Sequence, residues 1–141
     1  MIILKRVYQK PDIRDGERIL VDRLWPRGIR RSTLNIDYWA KDVGPSTELR
    51  KWFAHDPAKW NSFVAKYRRE LEGSKALQKL LNRIADRDEV TFLYSSKDEQ
   101  HNNAVVLKEF IEEKLKELKK KRIPEKTSKN REALEKNVNY V

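Results

Sequence analysis

The chain has 141 residues, no cysteine and a formal net charge of +10. That length suits one domain with a real core. The missing cysteines exclude disulfides, thiolate nucleophiles and Cys-containing zinc sites, and no apolar run approaches the roughly 18 residues of a transmembrane helix.

The positive charge is unevenly spread. Lys119 to Val141 carries eight Lys/Arg against three Glu, net +5, while the rest carries 24 against 19, also +5. The start, Met1-Ile2-Ile3-Leu4-Lys5-Arg6, turns polar too soon for a signal peptide, so the expected location is the cytoplasm. Both histidines stand apart in sequence. No metal site and no cofactor are expected.

Ile2 to Tyr8 reads as a first strand, followed by a loop punctuated by Pro11-Asp12 and Asp15-Gly16. Arg18 to Trp25 reads as a second strand, ended by Pro26-Arg27-Gly28. Residues 29–35 read as loop with a short turn. Ile36 to Val43 fits either a third strand or a short helix, broken by Gly44-Pro45. Helix starts follow at Ser46, at Asp56-Pro57 and at Gly73-Ser74, each with an N-capping side chain.

Val90 to Tyr94 is a short β-branched and aromatic run, the pattern of a strand buried in a parallel sheet. It leads into Ser95-Ser96-Lys97-Asp98-Glu99-Gln100-His101-Asn102-Asn103, nine residues without an apolar side chain. From Ala104 to about Leu118 apolar residues return at helical spacing, and Pro124 is expected to bar continuation. The predicted fold is α/β: a single compact domain, mostly parallel sheet flanked by helices in Rossmann-like layers, spanning residues 1–118. Residues 119–141 form a basic C-terminal extension, either disordered or a short helix.

Ligands of open α/β sheets sit beyond the carboxyl ends of strands, so the polar loop is the first candidate site. Ser95 and His101 are the candidate catalytic pair. Ser96, Lys97, Asn102 and Asn103 could bind a ligand beside the N–H groups of the helix start. The opposing reading has Asp98 or Ser96 capping the helix and His101 covering its first turn. A Ser–His nucleophile would lack the glycine-flanked elbow that usually positions such a serine. The second candidate is Asp22, Arg23 and Arg27, since guanidinium forks bind phosphate or carboxylate. The alternative there is an Asp–Arg pair fastening the strand end, with Trp25 in the core and Arg30 and Arg31 in a solvated loop. His55-Asp56-Pro57, with Trp52, Phe53 and Trp60, reads first as a capped helix start over an aromatic core. Lys119 to Arg122 with Lys126, Lys129 and Arg131 could serve as an electrostatic arm for nucleic acid or as a solubilising extension.

Four motifs occur in order: Asp22-Arg23-Leu24-Trp25-Pro26-Arg27-Gly28, Glu48-Leu49-Arg50-Lys51-Trp52-Phe53, His55-Asp56-Pro57 and His101-Asn102-Asn103-Ala104. Together they resemble the YeaO-like branch of a bacterial and archaeal domain-of-unknown-function family, number 488, over Ile3 to Leu118. The resemblance implies a compact α/β domain and brings no assigned activity. Other branches carry cysteines and a Cys-His-Arg-like segment after the last core strand. Ser95 and Asn102 stand in that neighbourhood here, so thiol chemistry does not transfer.

Three functions follow from these residues. The first is binding of an anionic, phosphate- or nucleotide-like ligand at residues 95–103 beside the Arg27 turn, with or without hydrolase or transferase activity. It requires Arg27, Ser95 and His101 to share one cleft. The second is nucleic-acid association through the basic surface and tail. The third is a non-catalytic interaction domain. No membrane partner is expected.

Overall fold

The computed structural model describes residues 1–137, with side chains described through Lys120. The chain falls into two units, Met1–Lys108 and Glu109–Val141.

The first unit holds a four-stranded sheet: β1 (Ile2–Arg6), β2 (Glu17–Leu20), β3 (Tyr38–Trp39) and β4 (Val90–Tyr94). Their order across the sheet is β1-β4-β2-β3, and every neighbouring pair is parallel. β4 therefore lies inside, with Ile2 to Arg6 on one side and Glu17 to Leu20 on the other. All five of its residues are buried, as expected of a strand covered on both faces. The carboxyl ends of β1, β4 and β2 emerge side by side.

β2 is shorter than its apolar run predicts. The amide of Val21 still donates to the Leu93 carbonyl at 3.1 Å. At Asp22 the chain leaves the sheet, because the Asp22 carbonyl accepts from the Trp39 indole N–H at 2.8 Å instead of continuing the ladder. Leu24 projects outward, 55% exposed. Trp25 packs with Ile29, Ile36 and Trp39 on a cluster of Val7, Leu20, Leu34 and Leu93. Within 29–35 the chain makes one helical turn, α1 (Arg31–Leu34), anchored by buried Leu34. Residues 36–43 take the strand alternative at β3, followed by a 3₁₀ turn, Lys41–Val43.

The capping signals predict the next helices well. Ser46 Oγ accepts from the Leu49 amide at 3.1 Å and starts α2 (Thr47–Phe53). Asp56 accepts from the Ala58 amide at 3.0 Å and opens a Pro57–Lys59 turn that runs into α3 (Trp60–Leu71). Ser74 Oγ accepts from the Leu77 amide at 3.1 Å and starts α4 (Lys75–Ile84). α3 buries Phe63, Tyr67 and Leu71, and α4 buries Leu77, Leu80 and Ile84, the three- and four-residue spacing of a helix with one apolar face.

The last helix, α5 (Asn103–Asn137), begins in the first unit and continues through the second. It passes the stop predicted near Leu118. A single Pro removes one backbone donor, while the flanking Lys, Arg and Glu residues are good helix formers. In the second unit the Lys114 ammonium lies 5.2 Å from the Phe110 ring centroid and 3.9 Å from the Glu117 carboxylate. The tail side chains proposed for nucleic acid, from Lys121 on, lie outside the described residues. Among the described residues no helix is long and apolar enough to cross a membrane.

One glycine is required twice over. Gly16, just before β2, has φ +65°, and a Cβ there would lie 2.3 Å from the Glu89 carbonyl oxygen before β4. Gly73 has a similar φ, +74°, but open space around it. Gly16→Ala should therefore cost both left-handed strain and overpacking, on the order of 3 kcal/mol. Gly73→Ala should cost only the strain, about 1 kcal/mol. Urea denaturation of the two variants checks the difference; equal losses would show that the contact with residue 89 relaxes freely.

Candidate functional site

A cleft of about 360 Å³ opens at the carboxyl ends of the strands. Its walls come from Tyr8 after β1, residues 22–27 after β2, the loop after β4, and the α2 region. Arg27, Ser95 and His101 all line it, as do Asp22, Arg23, Ser96, Asn102 and Asn103. Lys97 does not; it is exposed elsewhere on the loop. Arg50, His55, Phe53 and Phe63 line the cleft as well.

Most polar groups predicted to meet a ligand are already engaged. Asp22 Oδ2 accepts from the Ser95 amide at 2.9 Å and from Ser95 Oγ at 2.7 Å. This joins the exits of β2 and β4, which are neighbours in the sheet. Burial pushes the Asp22 carboxyl above its ordinary value, and the Ser95 and Asn103 hydrogen bonds and the charge of His55 only partly oppose that. Arg23 donates from Nε to the Pro45 carbonyl and from Nη2 to the Gly44 carbonyl, both at 2.9 Å. The Asp–Arg pair foreseen within the motif does not form: Asp22 faces Ser95, while Arg23 lies 3.6 Å from Asp42.

The loop after β4 is a sequence of small hydrogen-bonded turns. Arg6 Nε donates to the Ser96 carbonyl at 2.8 Å and Nη2 to the Ser95 carbonyl at 3.2 Å. Ser96 Oγ accepts from the Asp98 amide at 3.2 Å. Asp98 Oδ1 accepts from the amides of Gln100 and His101, both at 2.9 Å. The cap of α5 is neither Asp98 nor Ser96 but Asn102, whose Oδ1 accepts from the Val105 amide at 3.1 Å. Its Nδ2 donates to the Asp98 carbonyl at 2.9 Å, and the side chain is buried. Asn103 Nδ2 donates to the Val21 carbonyl at 3.1 Å, fastening the helix start to the end of β2.

His101 is held by Asp98. Its Nδ1 lies 2.9 Å from Asp98 Oδ2, and its ring meets Trp60 edge-on at 5.1 Å between centroids. Hydrogen bonds from the Gln100 and His101 amides and the His101 ring lower the Asp98 pKa, so Asp98 is an acceptor for Nδ1–H and Nε2 is left over. Ser95 Oγ is committed to Asp22. Among the described residues Ser95 and His101 form no hydrogen bond, so the nucleophile–base pair is not assembled.

The groups left over are cation-rich. Arg27 is exposed on its turn, where its own carbonyl accepts from the Tyr8 hydroxyl at 3.2 Å. Arg50 lines the cleft, and its Nε is buried with no acceptor among the described residues. His55 stands exposed at the rim. With His101 Nε2, these face a cleft whose carboxylate, Asp22, is already bonded. Among the described residues no cluster of His, Cys, Asp or Glu could hold a metal ion. Such an arrangement can hold an anion against an apolar floor of Phe53 and Phe63, stacked at 4.3 Å. Arg50 escapes a sequence reading because it sits mid-helix among ordinary surface charges. His55 is legible only as part of a capped turn.

A family model described as "Inactive DUF488-N3 subclade" matches residues 1–130. The chain is 44% identical over 107 residues to the uncharacterised protein YeaO of Escherichia coli, covering 76% of this chain and 93% of that one. It is 40% identical over 106 residues to uncharacterised proteins of Mycobacterium tuberculosis and Mycobacterium bovis, covering 75% of this chain and 89% of each of those. No solved structure matches the chain.

Because the Asp22 carboxyl is raised, the folded protein holds its proton more tightly than the unfolded chain does. Its stabilising contribution is full below the ordinary value of 3.8 and is lost as pH rises through the raised value. Asp22→Asn keeps an acceptor for Ser95 but carries no charge. Its melting temperature should gain on that of the natural chain across this window, starting near pH 4. A melting-temperature difference that stays flat from pH 3 to 7 would contradict the reading.

Proposed function

The chain belongs to the DUF488 family, in the subclade described as inactive, and from that premise we propose that its cleft binds an anionic, phosphate- or nucleotide-like ligand without turning it over. One observation carries the reading. Arg27, Arg50, His55 and His101 line one cleft at the carboxyl edge of the sheet, and its one carboxylate, Asp22, is already satisfied. The volume, about 360 Å³, falls at the lower end of small-molecule sites. Tyr8 and Leu24, 51% and 55% exposed, add apolar surface at the mouth for the non-ionic part of a ligand. A larger hollow at the amino ends of the strands is a weaker candidate for an anion, because its Lys5 and Arg14 are paired with Asp15 and Asp12, each at 3.0 Å, and Glu89 adds a further carboxylate.

Binding without chemistry is favoured by the engagement of Ser95. A serine whose hydroxyl donates to the part-buried Asp22 carboxylate, and which makes no hydrogen bond to His101 among the described residues, lacks the imidazole partner that activates a nucleophile.

The test is a thermal-shift series with inorganic phosphate, sugar phosphates, nucleoside monophosphates and short nucleic acids at two salt concentrations. A small anion at 100 times its dissociation constant should stabilise the chain by roughly 2.7 kcal/mol. The shift should persist at moderate salt and weaken about tenfold in affinity, roughly 1.4 kcal/mol, in Arg27→Ala. The small anion should be recovered unchanged after incubation. Shifts with polyanions only, confined to low salt, would overturn the reading in favour of diffuse binding by the basic surface.

A further inference from the structure

The two cleft residues least expected from the sequence, Arg50 and His55, lie at the end of α2, where the backbone is unusual. Ala54 and His55 both have left-handed φ, 46° and 57°. A helix often ends in one such residue, but that position is normally Gly or Asn, because a Cβ is strained there. Two consecutive strained residues of other types persist only when something holds them, and such positions gather at binding sites.

Folding requirements account for only part of this turn. The Ala54 amide returns to the Arg50 carbonyl at 3.0 Å, and the Asp56 amide to the Phe53 carbonyl at 3.0 Å. Those two bonds close α2 and set Asp56 to cap the next turn. They involve no side chain of residue 55, and a glycine or asparagine there would serve them better. The imidazole is exposed and makes no hydrogen bond among the described residues; it has a tilted ring contact with Phe53 at 6.4 Å, and its charge reaches the Asp22 carboxyl across the cleft. What the left-handed backbone achieves is to place that imidazole on the wall of the cleft.

One turn earlier on the same helix, Arg50 is half-buried along that wall, and its Nε–H lacks an acceptor. A buried, unpaired donor is costly in a folded protein. A guanidinium fork is satisfied by two oxygens of one group. A small turn of the side chain toward the cleft would give Nε and one Nη to the same oxyanion.

We propose that Arg50 and His55 form the seat for a terminal phosphate, and that the strained Ala54–His55 turn is kept for this seat rather than for the fold. This rests on the cleft being an anion site. Arg27 on the facing turn supplies a further donor, and three separated donors suit a tetrahedral group better than a planar carboxylate. Because Arg50 lies inward of the exposed His55, the anion must enter end-on. That selects phosphomonoesters and inorganic phosphate over phosphodiesters, whose phosphorus carries a substituent on either side.

The experiment measures affinity and melting temperature together, on the full chain, with inorganic phosphate, adenosine monophosphate and a dinucleotide lacking terminal phosphates as probes. His55→Asn keeps a residue that tolerates the left-handed backbone and removes the imidazole. It should leave the melting temperature within about 3 °C of the natural chain, or raise it, while weakening phosphate and adenosine monophosphate binding at least tenfold. His55→Gly should behave alike. Arg50→Lys keeps the charge but loses the fork, and should also weaken binding about tenfold. The dinucleotide should bind at least tenfold more weakly than the monophosphate. A fall of more than 5 °C in both His55 variants would make residue 55 structural and overturn the proposal. Full affinity in His55→Asn and Arg50→Lys, with loss in Arg27→Ala, would overturn it while leaving the cleft as the anion site. Absence of binding by any probe to the natural chain would overturn both.

Discussion

Two neighbouring parallel strands must send their chains away from the same edge of the sheet, and the divergence has to be held open by something. Here that is the carboxylate of Asp22, which takes both the amide and the hydroxyl of Ser95 on one oxygen. The pairing of β2 with β4 ends at Leu20 and Leu93, so the carboxylate continues the connection between the strands beyond the last ladder bond. Asn103 adds a second tie, from the start of α5 to the Val21 carbonyl. Arg6 adds a third, from the end of β1 to two carbonyls of the same loop. These ties hold the chain segments that leave the three strand ends, and the cleft is lined by those segments.

This arrangement spends polar residues freely. Ser95, Asn102, Asn103 and Asp22 belong to the sequence's most chemistry-like stretches, yet their atoms are occupied in holding backbone. The groups that remain are those at the ends of long side chains or on imposed turns: Arg27, Arg50, His55 and one nitrogen of His101. The part-buried Asp22 carboxylate holds the Ser95 hydroxyl, which makes no hydrogen bond to His101 among the described residues. The same contact that joins the exits of β2 and β4 thus also engages the Ser95 hydroxyl.

The fold was largely legible because its signals are local. β4 announces itself as a β-branched and aromatic run between charged and polar flanks. Three helix starts are marked by Ser46, Asp56-Pro57 and Ser74, whose capping bonds all form. β2 misleads because Val21, Leu24 and Trp25 look like more strand; Trp25 packs on the cluster around Leu20 and Leu24 stands exposed on the cleft instead. The end of α5 misleads because one Pro does not outweigh many good helix formers. The location of the cleft was legible too, since a crevice beside a polar strand-to-helix loop at a sheet's carboxyl edge is a general feature of α/β folds. The roles within it were not. Whether an Asn caps a helix or meets a ligand depends on partners far away in sequence, and the left-handed backbone of Ala54 and His55 has no compositional mark when neither residue is Gly or Asn.

That last point separates two kinds of information in this chain. Caps, periodicity and turns are consistent with one another and together specify the sheet and its helices. The Ala54–His55 turn contradicts local preference, and the Arg50 donor contradicts the rule that buried polar groups find partners. Both departures fall on one wall of one cleft, within six residues of each other, while the surrounding helices obey the ordinary rules. Natural sequences depart from local consistency chiefly where function demands it. Under the proposal that Arg50 and His55 seat one phosphate, both departures have a single cause.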